Sequence, residues 1–274
     1  MAVTRGPDQD TLRHQVEALE WYHTLELAPG LVTPGWFDTR KVTSQVPIPE
    51  SLRGMRCLDI GTFDGFWAFE MERRGAAEVH AIDILDPRRW DWPAGASQDA
   101  IAAIGKRKAA GEGFEVARQA LGSKVRRHEL SIYDLDPEIL GEFDLAYIGS
   151  LLIHLRDPVG ALMRVRQVCR GKLVVVDNVD AVLSWAFRRR PIAGLDGVGR
   201  PWWWKANVSG VVRMLTAAGF ELEQPPIRLY MPPGPGQQVT RPRLRALRSL
   251  AGIEAAITAR RGDPHVALLA RPAR

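Results

Sequence analysis

The chain is poor in the features that mark exported, disulfide-stapled or membrane proteins. Only two of its 274 residues are cysteine, Cys57 and Cys169. Neither sits in a C-x-x-C pair, so no thiolate zinc or dithiol redox pattern is present and both read as small buried hydrophobes. No window approaches the ~20 consecutive apolar residues of a membrane-spanning helix. The opening residues MAVTRGPDQDTLRHQ lack the apolar core of a signal peptide. A cytoplasmic protein without disulfides or membrane contact is expected. Internal repeats are also missing, and so is the full G-x-G-x-x-G of the dinucleotide fingerprint. Neither sign of charge dominates, the formal balance being +5. Arg241, Arg243, Arg245, Arg248, Arg260 and Arg261 gather basic charge near the C-terminus. Such a cluster suits a nucleic-acid partner or simply a solvated helix face.

What is present is enough apolar residue, 46%, to bury a sizeable core. Leu12, Val16, Leu19, Tyr22 and Leu25 recur at three- and four-residue steps, which predicts a helix over 9–25. The loop LAPGLVTPGWFDTRK follows. Residues 1–50 are therefore read as an N-terminal helical lid over a cofactor mouth, and 51–274 as the main domain, the whole forming one structural unit. From residue 55 strands and helices alternate, the pattern of a parallel sheet with helices on both faces. Strands are expected near 55–60, 78–82, 124–128, 143–148, 172–177, 226–231 and 265–270, and helices near 65–74, 98–109, 112–121, 158–169 and 207–218. The intervals 84–123, with RRWDWPAG, and 178–206, with GLDGVGRPWWWK, exceed what a crossover needs and are candidate substrate-side segments.

The segment CLDIGTFDGFWAFEMERRG, residues 57–75, reads as strand, glycine turn and amphipathic helix, and HAIDI then closes a second strand on Asp83. This order offers bare backbone amides at a helix N-terminus to a nucleotide-like cofactor and aims a carboxylate at a ribose. Asp59, Gly61 and Gly65 form a D-x-G-x-x-x-G pattern, with Phe63 and Asp64 inside it. Gly61 would let the backbone approach the cofactor and Gly65 would open the helix. Asp83 could instead be a turn aspartate in DILDP, and the glycines a tight turn without a ligand.

The pattern resembles the first motif of class I S-adenosylmethionine (SAM) methyltransferases. That resemblance implies a Rossmann-like seven-stranded α/β sheet with SAM as cofactor. By resemblance, Ser131 and Ile132 fall on the adenine edge, and Gly149, Ser150 and Leu151 beside the sulfonium. The combination of FDGFWAFEMERRGA, AIDI, GEFDLAYIGSLLIHLRDPVGAL and AGFE looks like the family of wobble-uridine tRNA carboxymethyltransferases and their relatives acting on sugars and other small metabolites. It spans roughly residues 19–222. In the tRNA enzymes a tyrosine precedes the histidine of the IHLRDP segment and helps hold a carboxylated cofactor; here Ile153 stands there. The departure implies ordinary SAM and makes tRNA the secondary partner after a small-molecule acceptor.

Methyl transfer to a hydroxyl needs alignment and a proton acceptor. His154, just past the fourth strand, is the first candidate base, with a structural role in the turn into DPVGAL as its alternative. His23, beside Trp21 and Tyr22, is the second, with core packing as the alternative. Aromatic residues concentrate in the irregular segments at Trp36, Phe37, Trp90, Trp92 and Trp202–Trp204. Flat surfaces of this kind suit sugar or aromatic rings, or seal a lid. Trp21, Tyr22, Trp36, Trp203 and Lys205 are the candidate acceptor contacts, with Arg200 near them, and Asn207 reads as a helix N-cap. Asp177 is a further acceptor contact. With Asn178 it occupies the position of an Asp-Asn pair that holds Mg²⁺ in catechol-type enzymes. The acid those enzymes supply after the fourth strand is not evident, so Mg²⁺ is the lesser reading. The expected activity is O-methylation of a small sugar-containing or aromatic metabolite. The alternatives are a tRNA-modifying enzyme and a non-catalytic SAM-binding module.

Overall fold

The computed structural model describes residues 9–195, 202–239 and 248–274. Arg200, Arg241, Arg243 and Arg245 lie outside the described residues. In chain order the regular elements are α1 (Gln9–Ala18), β1 (Trp21–His23), β2 (Glu26–Ala28), β3 (Leu31–Val32), β4 (Gly35–Phe37), β5 (Arg56–Ile60), α2 (Phe66–Arg73), β6 (Glu78–Asp83), α3 (Gln98–Lys108), α4 (Glu112–Ala120), β7 (Arg126–Glu129) and α5 (Pro137–Leu140). They continue with β8 (Phe143–Gly149), α6 (Pro158–Val168), β9 (Cys169–Asn178), α7 (Ala181–Ala186), β10 (Ala193–Leu195), β11 (Trp204–Ala206), α8 (Val208–Ala217), β12 (Phe220–Leu222), β13 (Ile227–Met231), α9 (Leu250–Arg261) and β14 (Asp263–Pro272).

The main sheet runs β7-β6-β5-β8-β9-β14, with β12 and β13 both on the outer edge of β14. β7, β6, β5, β8 and β9 are parallel and β14 is antiparallel to β9. β12 and β13 pair with β14 end to end, at 270–272 and 263–267 respectively. They behave as one edge strand interrupted at Pro225–Pro226, where two consecutive residues lack the N–H a ladder needs. The sheet therefore keeps the seven positions expected of it. Strand order reverses between β5 and β8, the point where ligands bind in open α/β sheets.

Helix ends are set by local chemistry. Ser97, Asp157, Asp180 and Asn207 each accept a hydrogen bond from a first-turn amide of α3, α6, α7 and α8. Asn207 is thus the N-cap the sequence implied. One hydrophobic layer joins α1, α2, α4 and the β1–β4 segment to one sheet face, and the other packs α6 and α8 against the opposite face. Because Leu12, Val16, Trp21 and Leu27 belong to the first layer, the N-terminal segment is part of the core. Among the described residues no helix is long and apolar enough to cross a membrane.

The expected helix over 9–25 is corrected. It ends at Ala18, and residues 21–37 form two small β pairs, β1 with β4 and β2 with β3. The backbone N–H groups of Tyr22 and His23 donate to the Asp64 carboxylate at 2.6 and 2.9 Å, which holds the chain extended against the glycine turn. Gly35 permits the pairing. A Cβ there would stand 2.2 Å from the backbone of His23 and Thr24. The N-terminal segment is consequently a short helix plus a β platform, tied also to the chain after β13 through Asp38 N–H to Pro232 O (3.0 Å) and Gly234 N–H to Trp36 O (2.7 Å). Helices α5, α7 and α9 and strands β10, β11 and β12 are further additions to the expected elements.

Candidate active site

A cavity of about 570 Å³ opens at the carboxyl ends of β5, β6, β8 and β9, over the point where strand order reverses. Its size falls within the range of small-molecule sites, roughly 300–1,000 Å³. One wall is the turn after β5. Gly61 sits at φ +76°, and a Cβ on it would lie 3.2 Å from the Leu151 side chain. Phe63 is also left-handed, at φ +50°, and its N–H donates to Asp83 Oδ2 at 2.7 Å. Gly65 opens the helix as expected but is not a cofactor contact. At φ +89° it starts α2, but a Cβ would stand 2.5 Å from the Phe69 ring, and the residue faces the core instead of the cavity.

Asp59 lines the cavity floor, accepting from Thr62 Oγ1 (2.7 Å) and Ala68 N–H (3.1 Å). Burial pushes its carboxyl up to about 7, against the pull of those two bonds. Asp64 is buried behind the turn and does not reach the cavity; burial raises it to about 6, and its role is to hold Tyr22 and His23. Asp83 stands at the end of β6 where a ribose acid is expected, and it is engaged. Besides Phe63 it accepts from Ile84 N–H at 2.8 Å and forms an ion pair with Lys108. The Lys108 ammonium is fully buried and lies 4.4 Å from the Phe63 ring centre. Ser131 and Ile132 line the cavity on the β7 side, as do Gly149, Ser150 and Leu151 at the end of β8.

Ser150 is left-handed, at φ +49°. Its Oγ lies 2.9 Å from His265 Nε2, and His265 Nδ1 lies 2.9 Å from Asp263 O. A carbonyl only accepts, so Nδ1 carries the proton and the Nε2 lone pair accepts from the Ser150 hydroxyl. Burial holds His265 down at about 4, so the ring is neutral at physiological pH. Burial raises the Tyr22 phenol well above its usual value. His265 and Tyr147 were passed over in the sequence. Tyr147, on β8, places a buried hydroxyl without a partner in the cavity wall. A topological signal existed for His265: the opening residues of an antiparallel last strand lie beside the carboxyl end of its neighbour, and His265 stands opposite Asn178.

His154 and His23 both line the cavity. The ring of His23 is neutral, burial having lowered it to about 3, and its Nδ1 has no partner. Tyr22, Trp36 and Lys205 are also in the wall, Lys205 being ion-paired with Glu254. Three expected acceptor contacts are corrected. Trp21 is 2% exposed and donates Nε1–H to Val16 O at 2.9 Å, in the core. Trp203 turns away to donate to Asp91 O at 2.5 Å, leaving Trp202 to line the cavity. Asp177 points back into the fold: Oδ2 accepts from Leu151 and Leu152 N–H at 3.0 and 2.7 Å, and Oδ1 from Asn178 N–H at 2.9 Å. With both oxygens so engaged it is neither an acceptor contact nor a free Mg²⁺ ligand. Among the described residues no three His, Cys, Asp or Glu side chains converge as a metal site.

The chain matches no protein-family model and no curated protein sequence. It is similar to solved structures. The N-terminal domain of EvdMO1, determined with SAH and D-fucose, is 14% identical, covers 100% of both chains and superposes with a TM-score of 0.52. A chain from the complex of the Haloferax volcanii Trm112 methyltransferase activator is 12% identical, with 87% and 90% coverage and a TM-score of 0.50. An S-adenosylmethionine-dependent methyltransferase of Mesorhizobium loti is 17% identical over 82% of this chain and 93% of its own, with a TM-score of 0.43. At these identities the likeness to the first two establishes the fold alone, the α/β sheet of class I methyltransferases. The narrower tRNA-enzyme family gains no support from it.

Proposed function

We propose that the chain is a SAM-dependent methyltransferase acting on an oxygen of a small, sugar-containing or aromatic acceptor. The observation that carries the reading is a single cavity lined by the Gly61 turn, Asp83, Ser131–Ile132 and Gly149–Leu151, and continuing to Tyr22, Trp36, Trp202 and His265. The residues fit the cofactor. Gly61 leaves room for backbone approach, Asp83 can receive ribose hydroxyls once Lys108 is displaced, and the orphaned Tyr147 hydroxyl offers a polar contact inside the wall. When bound, SAM supplies an electrophilic methyl group.

The chain's own residues align the acceptor and handle its proton. Ser150 gives its hydroxyl proton to His265 Nε2 in a hydrogen bond, which turns the Ser150 lone pairs toward the cavity. An acceptor hydroxyl can donate there, and His265 takes up the proton relayed as the acceptor oxygen is methylated. The fixed tautomer at His265 supports it over His23, whose ring sits in a still more strongly desolvated place. A small acceptor is favoured over tRNA because residues 21–39 fold across the cavity, and because Ile153 lines its wall where the tRNA enzymes carry a tyrosine. Titration of SAH into wild type and Asp83→Asn tests the reading. Wild type should bind in the micromolar range and the variant about tenfold or more weakly. No heat of binding to wild type would overturn it.

A further inference from the structure

Four cations line the cavity among the described residues: Arg89, Arg107, Arg156 and Lys205. Three have acidic partners. Arg89 pairs with Glu129 at 2.7 Å, Arg156 with Asp91 at 3.8 Å, and Lys205 with Glu254. Arg107, in the last turn of α3, has no carboxylate within ion-pairing distance among the described residues. Its guanidinium carbon instead lies 4.2 Å from the centre of the Trp36 ring. Stacking of this kind fixes the guanidinium plane while leaving its N–H edges free to donate.

The platform beneath it is itself held. Trp36 O accepts from Gly234 N–H at 2.7 Å, and the Gln237 amide can accept from Trp36 Nε1 at 3.1 Å while donating to Trp36 O at 3.2 Å. Four buried polar atoms of residues in the same cavity wall, Thr39 Oγ1, His23 Nδ1, the Tyr147 hydroxyl and Asn178 Oδ1, have no partner either. A buried hydroxyl left unpaired costs free energy that a ligand acceptor would recover. An oriented, unneutralised guanidinium matches a planar carboxylate in a bidentate fork.

We infer that Arg107, laid on Trp36, anchors a carboxylate of a small molecule bound in this cavity. Resting on the methyltransferase reading, this leaves two sources for one chemistry: the acceptor, which would then be an acid, or the methionyl end of the cofactor. The two are separated with Arg107→Met, which keeps the chain length and removes the fork. Calorimetry would use SAH, 5′-methylthioadenosine, which lacks the carboxylate, and 4-hydroxybenzoate against its methyl ester, each with and without saturating SAH.

If the carboxylate is the cofactor's, Arg107→Met weakens SAH about tenfold or more and leaves 5′-methylthioadenosine unchanged. If it is the acceptor's, SAH binds both proteins equally, 4-hydroxybenzoate binds wild type about tenfold or more tightly than the variant, and the ester does not discriminate. Identical affinities of both proteins for every ligand would overturn the inference. Should SAH fail to bind wild type, the methyltransferase reading falls by itself, and 4-hydroxybenzoate without SAH still tests the Arg107 site. Melting temperatures of the two proteins control for folding.

Discussion

Replacing Lys108 with methionine should make the protein less stable and yet a better cofactor binder. The ammonium of Lys108 is fully buried against Asp83, so its removal leaves a carboxylate that has lost its counter-charge. Breaking a buried pair this way commonly costs ~3–5 kcal/mol. Here Asp83 keeps two backbone donors, Phe63 N–H at 2.7 Å and Ile84 N–H at 2.8 Å, and methionine preserves most of the apolar stem. A loss of about 1–3 kcal/mol follows, or a fall in Tm of about 2–4 °C per kcal/mol for a chain of this size.

Binding should move the opposite way. Ribose hydroxyls need the Asp83 carboxylate, whose Oδ2 is held by Lys108, so wild type must displace the ammonium before the ligand can seat. Every 1.4 kcal/mol of that displacement is a factor of ten in apparent affinity. Lys108→Met should therefore bind SAH about tenfold or more tightly, read by calorimetry beside a thermal melt. Ala109 and Ala110, at φ +42° and +50°, follow Lys108 directly and store backbone strain of about 1–3 kcal/mol each, which opening of α3 could release. If Lys108→Met binds SAH more weakly, Lys108 is a cofactor contact and the displacement reasoning is wrong.

Asp177→Ala should destabilise the fold by about 3–5 kcal/mol in denaturant unfolding, because three buried or part-buried backbone N–H groups lose their acceptor; a loss below about 1 kcal/mol would deny the carboxylate its structural role. Asp59→Asn should make the slope of stability against pH more positive than in wild type between about pH 4 and 7. With its folded pKa raised to about 7 from 3.8, Asp59 retains in the folded chain a proton that the unfolded chain has released, so its contribution makes stability fall as pH rises from about 4 to 7. The opposite slopes of His23 and His265 are common to both proteins and cancel, so equal slopes in the two would refute the assignment. His265→Leu should lower turnover about a hundredfold with SAH affinity unchanged, and His265→Gln, which can still accept from Ser150, should recover part of it. Undiminished turnover in His265→Leu, assayed with an acceptor found by labelled-methyl screening, would exclude the relay.

What the sequence disclosed and what it hid divide along one line, the range of the interaction concerned. The β5 turn was legible because Asp59, Gly61 and Gly65 are close in sequence and a left-handed turn restricts residue choice on the spot. Asp83 was legible as the acid ending β6. The lysine that meets it lies 25 residues further on, at the end of a helix whose periodicity says nothing about where its last side chain turns. The N-terminal misreading has the same origin. Leu19, Tyr22 and Leu25 suit a helix, but the carboxylate that draws residues 22 and 23 into a strand belongs to Asp64, 41 and 42 residues away. At Trp202 and Trp203 the error is one of register, since Trp202 faces the cavity while the next indole turns to Asp91 O.

Asp177 shows how a residue can sit at the right edge of the sheet for chemistry and be used for architecture. The parallel strand β8 must end abruptly for the chain to turn across the cavity, and residues 150–153 leave it with amide groups that no strand can pair. Ser150 N–H finds Val176 O at 2.8 Å, and the next two amides find the Asp177 carboxylate. That fixes Leu151, whose side chain lies 3.2 Å from where a Cβ on Gly61 would be. The glycine turn and the Asp177 clamp therefore act on one gap from opposite sides. A side chain at Gly61 would press on Leu151, which Asp177 prevents from retreating, so Gly61→Ala should weaken SAH binding less in an Asp177→Asn background than in wild type. Equal losses in the two backgrounds, measured by the same calorimetry, would show that the two walls are energetically independent.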